Sequence, residues 1–157
     1  MSSSKSLSAA QFILDSCADA GDQAVTPMQL IKLVYIAHGY MLGRHGKPLL
    51  DEPVEAWQYG PVVPSVYRAV KSYRSAPVVK VPGASAHDFS ESERDIMNAV
   101  ASGYGKVNAL LLSSATHQPG TPWRQTWDTF GRNAPISNDL IEAFYSDLLT
   151  KPSTGAL

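Results

Sequence analysis

Thr26-Pro27-Met28-Gln29-Leu30-Ile31-Lys32-Leu33-Val34-Tyr35-Ile36-Ala37-His38-Gly39-Tyr40-Met41-Leu42 is the stretch on which the reading of this chain turns. A threonine followed by proline opens a helix well, because the hydroxyl caps an orphan N–H and proline at the first helical position has no N–H to leave unpaired. Apolar side chains then fall on nearly every face instead of one stripe, which predicts a helix buried all round at the centre of the fold. Lys32, Tyr35 and His38 are polar groups on it. A buried polar atom without a partner costs about 1–3 kcal/mol, so Lys32 and Tyr35 are expected either to be paired inside the fold or to line a groove. For His38 a hydrogen-bonded core histidine is preferred over a switch.

Upstream, Ala9, Phe12, Ile13 and Cys17 follow helical spacing, with Ser8 as N-cap and Gly21 as the stop. Downstream, Gly43-Arg44-His45-Gly46-Lys47-Pro48 reads as a loop, and Val54-Glu55-Ala56-Trp57-Gln58 alternates like a half-buried strand. Pro53 fits only the start of that strand or a sheet edge. Tyr59-Gly60-Pro61 breaks it, Pro64 opens a helix carrying Val66, Tyr67, Val70 and Tyr73, and residues 78–81 are predicted as a second strand. Residues 83–90 read as an exposed loop. Ser90-Glu91-Ser92-Glu93 has the form of a capping box, predicting a helix to about Tyr104. Asn108 caps another with Leu110, Leu111 and Leu112, and Pro122-Trp123-Arg124-Gln125-Thr126-Trp127 should make one or two helical turns. Ser137-Asn138-Asp139 precedes a last amphipathic helix carrying Leu140, Ile141, Phe144, Tyr145, Leu148 and Leu149, and Pro152 ends it. The fold class expected is mainly α, about six helices, with a small two- or three-stranded antiparallel β-sheet. Residues 1–157 form a single compact domain, with 1–7 and 151–157 as flexible tails.

Bulk properties narrow the function classes. The 157 residues suit one domain, and 44% hydrophobic with 17% charged residues is the composition of an ordinary globule. Thirteen Lys and Arg against fourteen Asp and Glu leave a formal charge of −1, without the basic excess that drives phosphate binding, so nucleic acid is an unlikely partner. A lone Cys17 forms no internal disulfide, residues 1–8 lack an apolar signal core, and no window approaches the ~18 apolar residues that span a bilayer. A cytoplasmic location without a membrane partner is expected.

Chemistry is sparsely marked. His38, His45, His87 and His117 show no i, i+4 pairing for a metal, and neither a phosphate loop nor a nucleophile elbow occurs. No catalytic residue, metal or cofactor is expected. What stands out is Glu55-Ala56-Trp57-Gln58-Tyr59-Gly60-Pro61-Val62-Val63-Pro64-Ser65-Val66-Tyr67, where large aromatics surround residues that fix backbone direction. Rigidly held aromatics with a polar end make good interface anchors. Against this, Trp57 and Tyr67 read equally well as core. Tyr59 and Val62, beside the turn, are expected to be reachable. His117 precedes Trp123 and Trp127, spaced i, i+4, for which capping and packing is preferred over a partner contact.

The order of these pieces resembles the Panacea domain, an antitoxin family that includes phage-associated GepA-like proteins and the SocA-like proteolytic adaptor. Met28 to Gly39 is similar to the family's Gln-Lys-Leu-x-Tyr-x-Ala-His-Gly helix, with Ile31 intervening before Lys32. Glu55 to Tyr67 resembles its most distinctive motif, a tryptophan, then Gly-Pro-Val, then a tyrosine on the next helix. Leu111 to His117, followed by Pro122-Trp123, looks like its third block. The resemblance covers nearly the whole chain.

It implies an antitoxin that binds and neutralises a cognate protein toxin encoded beside it and that, in the SocA-like branch, delivers the toxin to the ClpXP protease. The resemblance carries no enzymatic activity. Candidate partner-binding residues are Trp57, Tyr59, Gly60, Pro61, Val62 and Tyr67, with Lys32, Tyr35, His38, His117 and Trp123 beside them. A homo-oligomer is left open. The alternative functions are a DNA-binding autoregulator of the protein's own operon and, third, a small hydrolase using Glu55 and His117.

Overall fold

A computed structural model describes residues 5–21 and 24–150. Helix α1 (Lys5–Asp19) leads to α2 (Pro27–His45), then a hairpin of β1 (Val54–Trp57) and β2 (Gly60–Val62). Helix α3 (Pro64–Val70) continues into a 3-10 turn (Lys71–Tyr73). There follow α4 (Glu91–Tyr104), α5 (Ala109–Thr116), α6 (Pro122–Phe130), strand β3 (Ala134–Ile136) and α7 (Asn138–Thr150). Among the described residues there are seven α-helices and one three-stranded antiparallel sheet, ordered β2-β1-β3.

α2 is the central helix. Thr26 forms a full capping box with Gln29, and fourteen of its residues are buried. Its most extensive packing is against α7, at a closeness set by two glycines. A Cβ on Gly39 would lie 2.3 Å from the Tyr145 ring, and one on Gly43 would lie 2.7 Å from the Tyr145 backbone. Gly43 is therefore a packing residue inside α2, and the helix runs on to His45 instead of ending at residue 43 as expected.

The sheet depends on its edges. β1 is the middle strand, pairing Glu55 with Val62 on one side and Val54 with Ile136 on the other. Pro61 and Pro135 both lie on outer strands, where a missing N–H breaks no ladder. Ser90 and Asn108 cap α4 and α5 as expected.

Several expectations are corrected. Residues 78–81 form no strand: Val78 N–H donates to the Val25 carbonyl and Val81 N–H to the Gln11 side chain. Val78 and Val81 are buried, three residues apart, without a partner strand. The strands that pair with β1 are instead β2, which includes the Gly60 and Pro61 expected only to break the chain, and β3. Ser8 lies inside α1, buried and donating to the Ser85 carbonyl, so it is not a cap. Lys5 to Leu7, expected in a flexible tail, form the first turn of α1. The rest of both expected tails, and the stop at Pro152, lie outside the described residues. α6 extends to Phe130, beyond the one or two turns expected. Among the described residues no helix is long and apolar enough to cross a membrane.

Candidate functional site

The β1–β2 hairpin turns through Gln58 and Tyr59 and is pinned on several sides. Gly60 takes φ +116°, a conformation that disfavours any Cβ, and a Cβ there would sit 2.9 Å from Lys32 Nζ. Lys32 Nζ donates to the Pro61 carbonyl at 2.8 Å, while Ser113 Oγ donates to the Tyr59 carbonyl at 2.6 Å. Below the turn, Trp123 Nε1 donates to the Trp57 carbonyl at 2.7 Å, and the Trp57 indole N–H donates to Glu55 at 2.9 Å. Backbone carbonyls flanking the turn are thus held by side chains from α2, α5 and α6.

This geometry sorts the expected site residues into groups. Tyr59 is 62% exposed at the tip, and Tyr67 at 36% packs edge-on against Trp57 with centroids 5.0 Å apart. Val62, by contrast, is only 4% exposed and belongs to the core, correcting the expectation that it is reachable. Gly60, Pro61, Lys32 and Trp123 are buried supports. His117 caps the end of α5 and packs on Trp123, which also stacks on Trp127 and carries the Arg124 guanidinium over its ring.

Tyr35 and His38 lie apart from the hairpin, on the face of α2 that meets α7. Tyr35 packs edge-on against Tyr145, and burial pushes its hydroxyl well above the ordinary tyrosine value. His38 Nδ1 accepts from the Leu50 N–H at 3.2 Å, so the ring proton sits on Nε2, 3.0 Å from Asn138 Oδ1. Burial holds this imidazole below its usual pKa against the opposing effect of Asn138. It is a neutral clip joining α2, the segment at Leu50 and the start of α7.

Lys32 is fully buried, and desolvation lowers its ammonium to about 7. A charge there without a counter-ion is expensive, and the Pro61 carbonyl is the acceptor that makes it tolerable.

Beside the hairpin opens a pocket of about 260 Å³. One wall is Pro27, Met28 and Ile31 from the start of α2, and another is Trp57, Tyr59 and Val62. The third combines Tyr67 with Lys71 and Arg74. Lys71 Nζ stands 5.9 Å over the Tyr67 ring. Sequence reasoning missed these two cations, although positions 67, 71 and 74 have the i, i+4, i+7 spacing of a single helix face. A larger depression of about 490 Å³, by Tyr40, Val100 and Tyr104, contains none of the expected site residues. Among the described residues no three His, Cys, Asp or Glu come together in a way that could hold a metal ion. Glu55 is engaged by the Trp57 indole and His117 by the Trp123 ring.

The class defined by this architecture is a helical domain wrapped around one buried helix, displaying an aromatic hairpin beside a small pocket. The chain belongs to the SocA-like antitoxin family: the family described as "Antitoxin SocA-like, Panacea domain" matches residues 30–124, from the first turn of α2 through the hairpin to α6. It is similar to "Antitoxin SocA" of Caulobacter vibrioides, 32% identical over 126 residues, 73% of this chain and 65% of that protein. The match thus spans a little under two thirds of the relative's length. No solved structure matches the chain.

Proposed function

We propose that this chain neutralises a protein toxin by binding it directly, without catalysis, through the hairpin tip and the adjoining face of α3. The observation that supports this most is the contrast at the turn: Tyr59 is largely exposed, while the backbone around it is held by Lys32, Ser113 and Trp123. Besides satisfying buried polar groups, these supports hold the exposed aromatic in a defined position. Aromatics fixed before binding lose little entropy on association, which suits them to carry much of an interface's affinity. Tyr59, Tyr67 and the open edge of Trp57 are the contact residues in this reading. Gly60, Pro61, Val62, Lys32, His117 and Trp123 position them, and Tyr35 and His38 act only through the fold.

The test is co-expression with the small protein encoded beside this chain. Growth should be arrested by that protein alone and restored by the wild-type chain, and restored poorly by the Tyr59→Ala, Tyr67→Ala double variant. Growth arrest that the chain never relieves would overturn the reading. Delivery to ClpXP, implied by the SocA-like resemblance, would use the same complex as its first step. Its signature is a toxin half-life that shortens only when both this chain and active ClpXP are present, whereas equal half-lives would leave simple sequestration.

A further inference from the structure

The pocket between the hairpin and α3 has a chemistry that specifies its occupant. Its volume of about 260 Å³ lies below the roughly 300–1,000 Å³ of small-molecule sites and suits one large side chain. Its walls are apolar and aromatic, its two charged groups, Lys71 and Arg74, are both cations, and no carboxylate lines it. The charge of the lining is therefore positive in a chain whose formal charge is −1, with the Glu55 carboxylate outside the lining and held by the Trp57 indole N–H. Trp57, Tyr59, Tyr67 and Arg74 are also the residue types over-represented among interface hot spots.

Arg74 carries a second signal. It has φ 59° and ψ −111°, a backbone conformation that a side chain disfavours, just after the 3-10 turn. Glycine would adopt it readily. Holding a non-glycine residue there costs on the order of 1–3 kcal/mol, and such strain tends to persist where a side chain has a task. Here the strained residue is one of the two cations on the pocket wall.

Resting on the toxin-binding reading above, we infer that this pocket is an anchor site for a partner segment carrying one large apolar side chain flanked by Asp or Glu. The apolar side chain enters between Trp57, Tyr67 and Ile31, and the neighbouring carboxylates meet Lys71 and Arg74. A nucleic acid is disfavoured, because two cations around an apolar pocket make no backbone-tracking groove.

The experiment is selection of a random dodecapeptide display library on the immobilised full chain, followed by affinity measurement of synthetic winners and of a single-stranded oligonucleotide. Winners should pair an aromatic or large aliphatic residue with adjacent acids. Their affinity should fall about tenfold or more on Lys71→Glu with Arg74→Glu, and weaken as salt rises. Arg74→Gly separates function from folding: it should raise the melting temperature by relieving strain, yet weaken the same peptides, while Arg74→Lys retains most of the affinity. Winners without acidic bias, winners indifferent to the double reversal, an absence of winners, or tighter binding of the oligonucleotide would each overturn the inference. Toxin neutralisation is read separately by growth. If neutralisation holds while the peptides show no acid preference, only the pocket chemistry fails; if acid-selective peptides bind while neutralisation is absent, only the antitoxin reading fails.

Discussion

Replacing Gly39 and Gly103 with alanine, one at a time, tests the packing scheme with opposite signs. Both glycines lie inside α-helices, α2 and α4, so each substitution gains about 1 kcal/mol in intrinsic helix propensity. At Gly103 nothing approaches the new Cβ within 4 Å, and that gain should survive nearly whole. At Gly39 the new Cβ falls 2.3, 2.5 and 2.7 Å from three atoms of the Tyr145 ring, where carbon–carbon contacts prefer about 3.5–4.0 Å. The ring would have to retreat by roughly an ångström, and it has nowhere to go: Tyr145 is fully buried, with Tyr35, Tyr40 and Phe144 rings around it at 5.0–6.1 Å. Overpacking of this kind costs about 1–3 kcal/mol, and a clash this close belongs at the upper end. The net expectation is a loss of about 2 kcal/mol for Gly39→Ala against a gain of up to 1 kcal/mol for Gly103→Ala. At roughly 2–4 °C per kcal/mol for a domain of this size, calorimetry should show melting points displaced in opposite directions, by about −6 °C and +3 °C. Displacements of the same sign, or a Gly39→Ala variant as stable as wild type, would refute the reasoning.

Two further perturbations follow from the buried polar groups. Lys32 has its pKa lowered to about 7 in the folded chain from 10.5, so it favours the fold fully above 10.5 and loses that contribution as pH falls to about 7. Urea midpoints should therefore rise from pH 7 to pH 10, and Lys32→Met should flatten the rise; an unchanged slope would contradict it. His38→Ala leaves the Leu50 N–H without its acceptor and opens a hole in the core, for a loss of about 3 kcal/mol with fast hydrogen exchange at the Leu50 amide; a loss under about 1 kcal/mol would contradict the clip.

Local chemistry was the legible part of this sequence. Thr26, Ser90 and Asn108 announce their helices because capping is decided within three residues, and the all-round apolar pattern of α2 places it at the centre without knowledge of any neighbour. The failures lie where a residue's role is set by something distant. Ala134-Pro135-Ile136 carries too little pattern to read as a strand until Val54 pairs with Ile136. Residues 78–81 are a short valine-rich run between two prolines that reads as a strand, but Val78 finds a loop carbonyl and Val81 a glutamine side chain instead of a ladder. Gly43 looks like a terminator unless Tyr145 is known to press against it. In the candidate site the aromatic Gly-Pro-Val turn was visible, whereas Val62 was misjudged because which face of a three-residue edge strand is covered depends on the whole fold. Lys71 and Arg74 were passed over because cations just beyond a short helix read as an ordinary solvated surface until the hairpin is seen beside them.

The most direct test of the account is titration calorimetry of the purified neighbouring toxin against the wild-type chain and the Tyr59→Ala, Tyr67→Ala double variant. Tyr59 is largely exposed, whereas Tyr67 packs on Trp57, so the double variant should stay folded with a melting temperature lowered by a few degrees from the lost ring contact. Affinity should fall at least thirtyfold, the loss of about 2 kcal/mol that truncating an interface anchor produces. Equal affinity of the two folded forms would place the toxin interface elsewhere on the molecule and contradict the central claim.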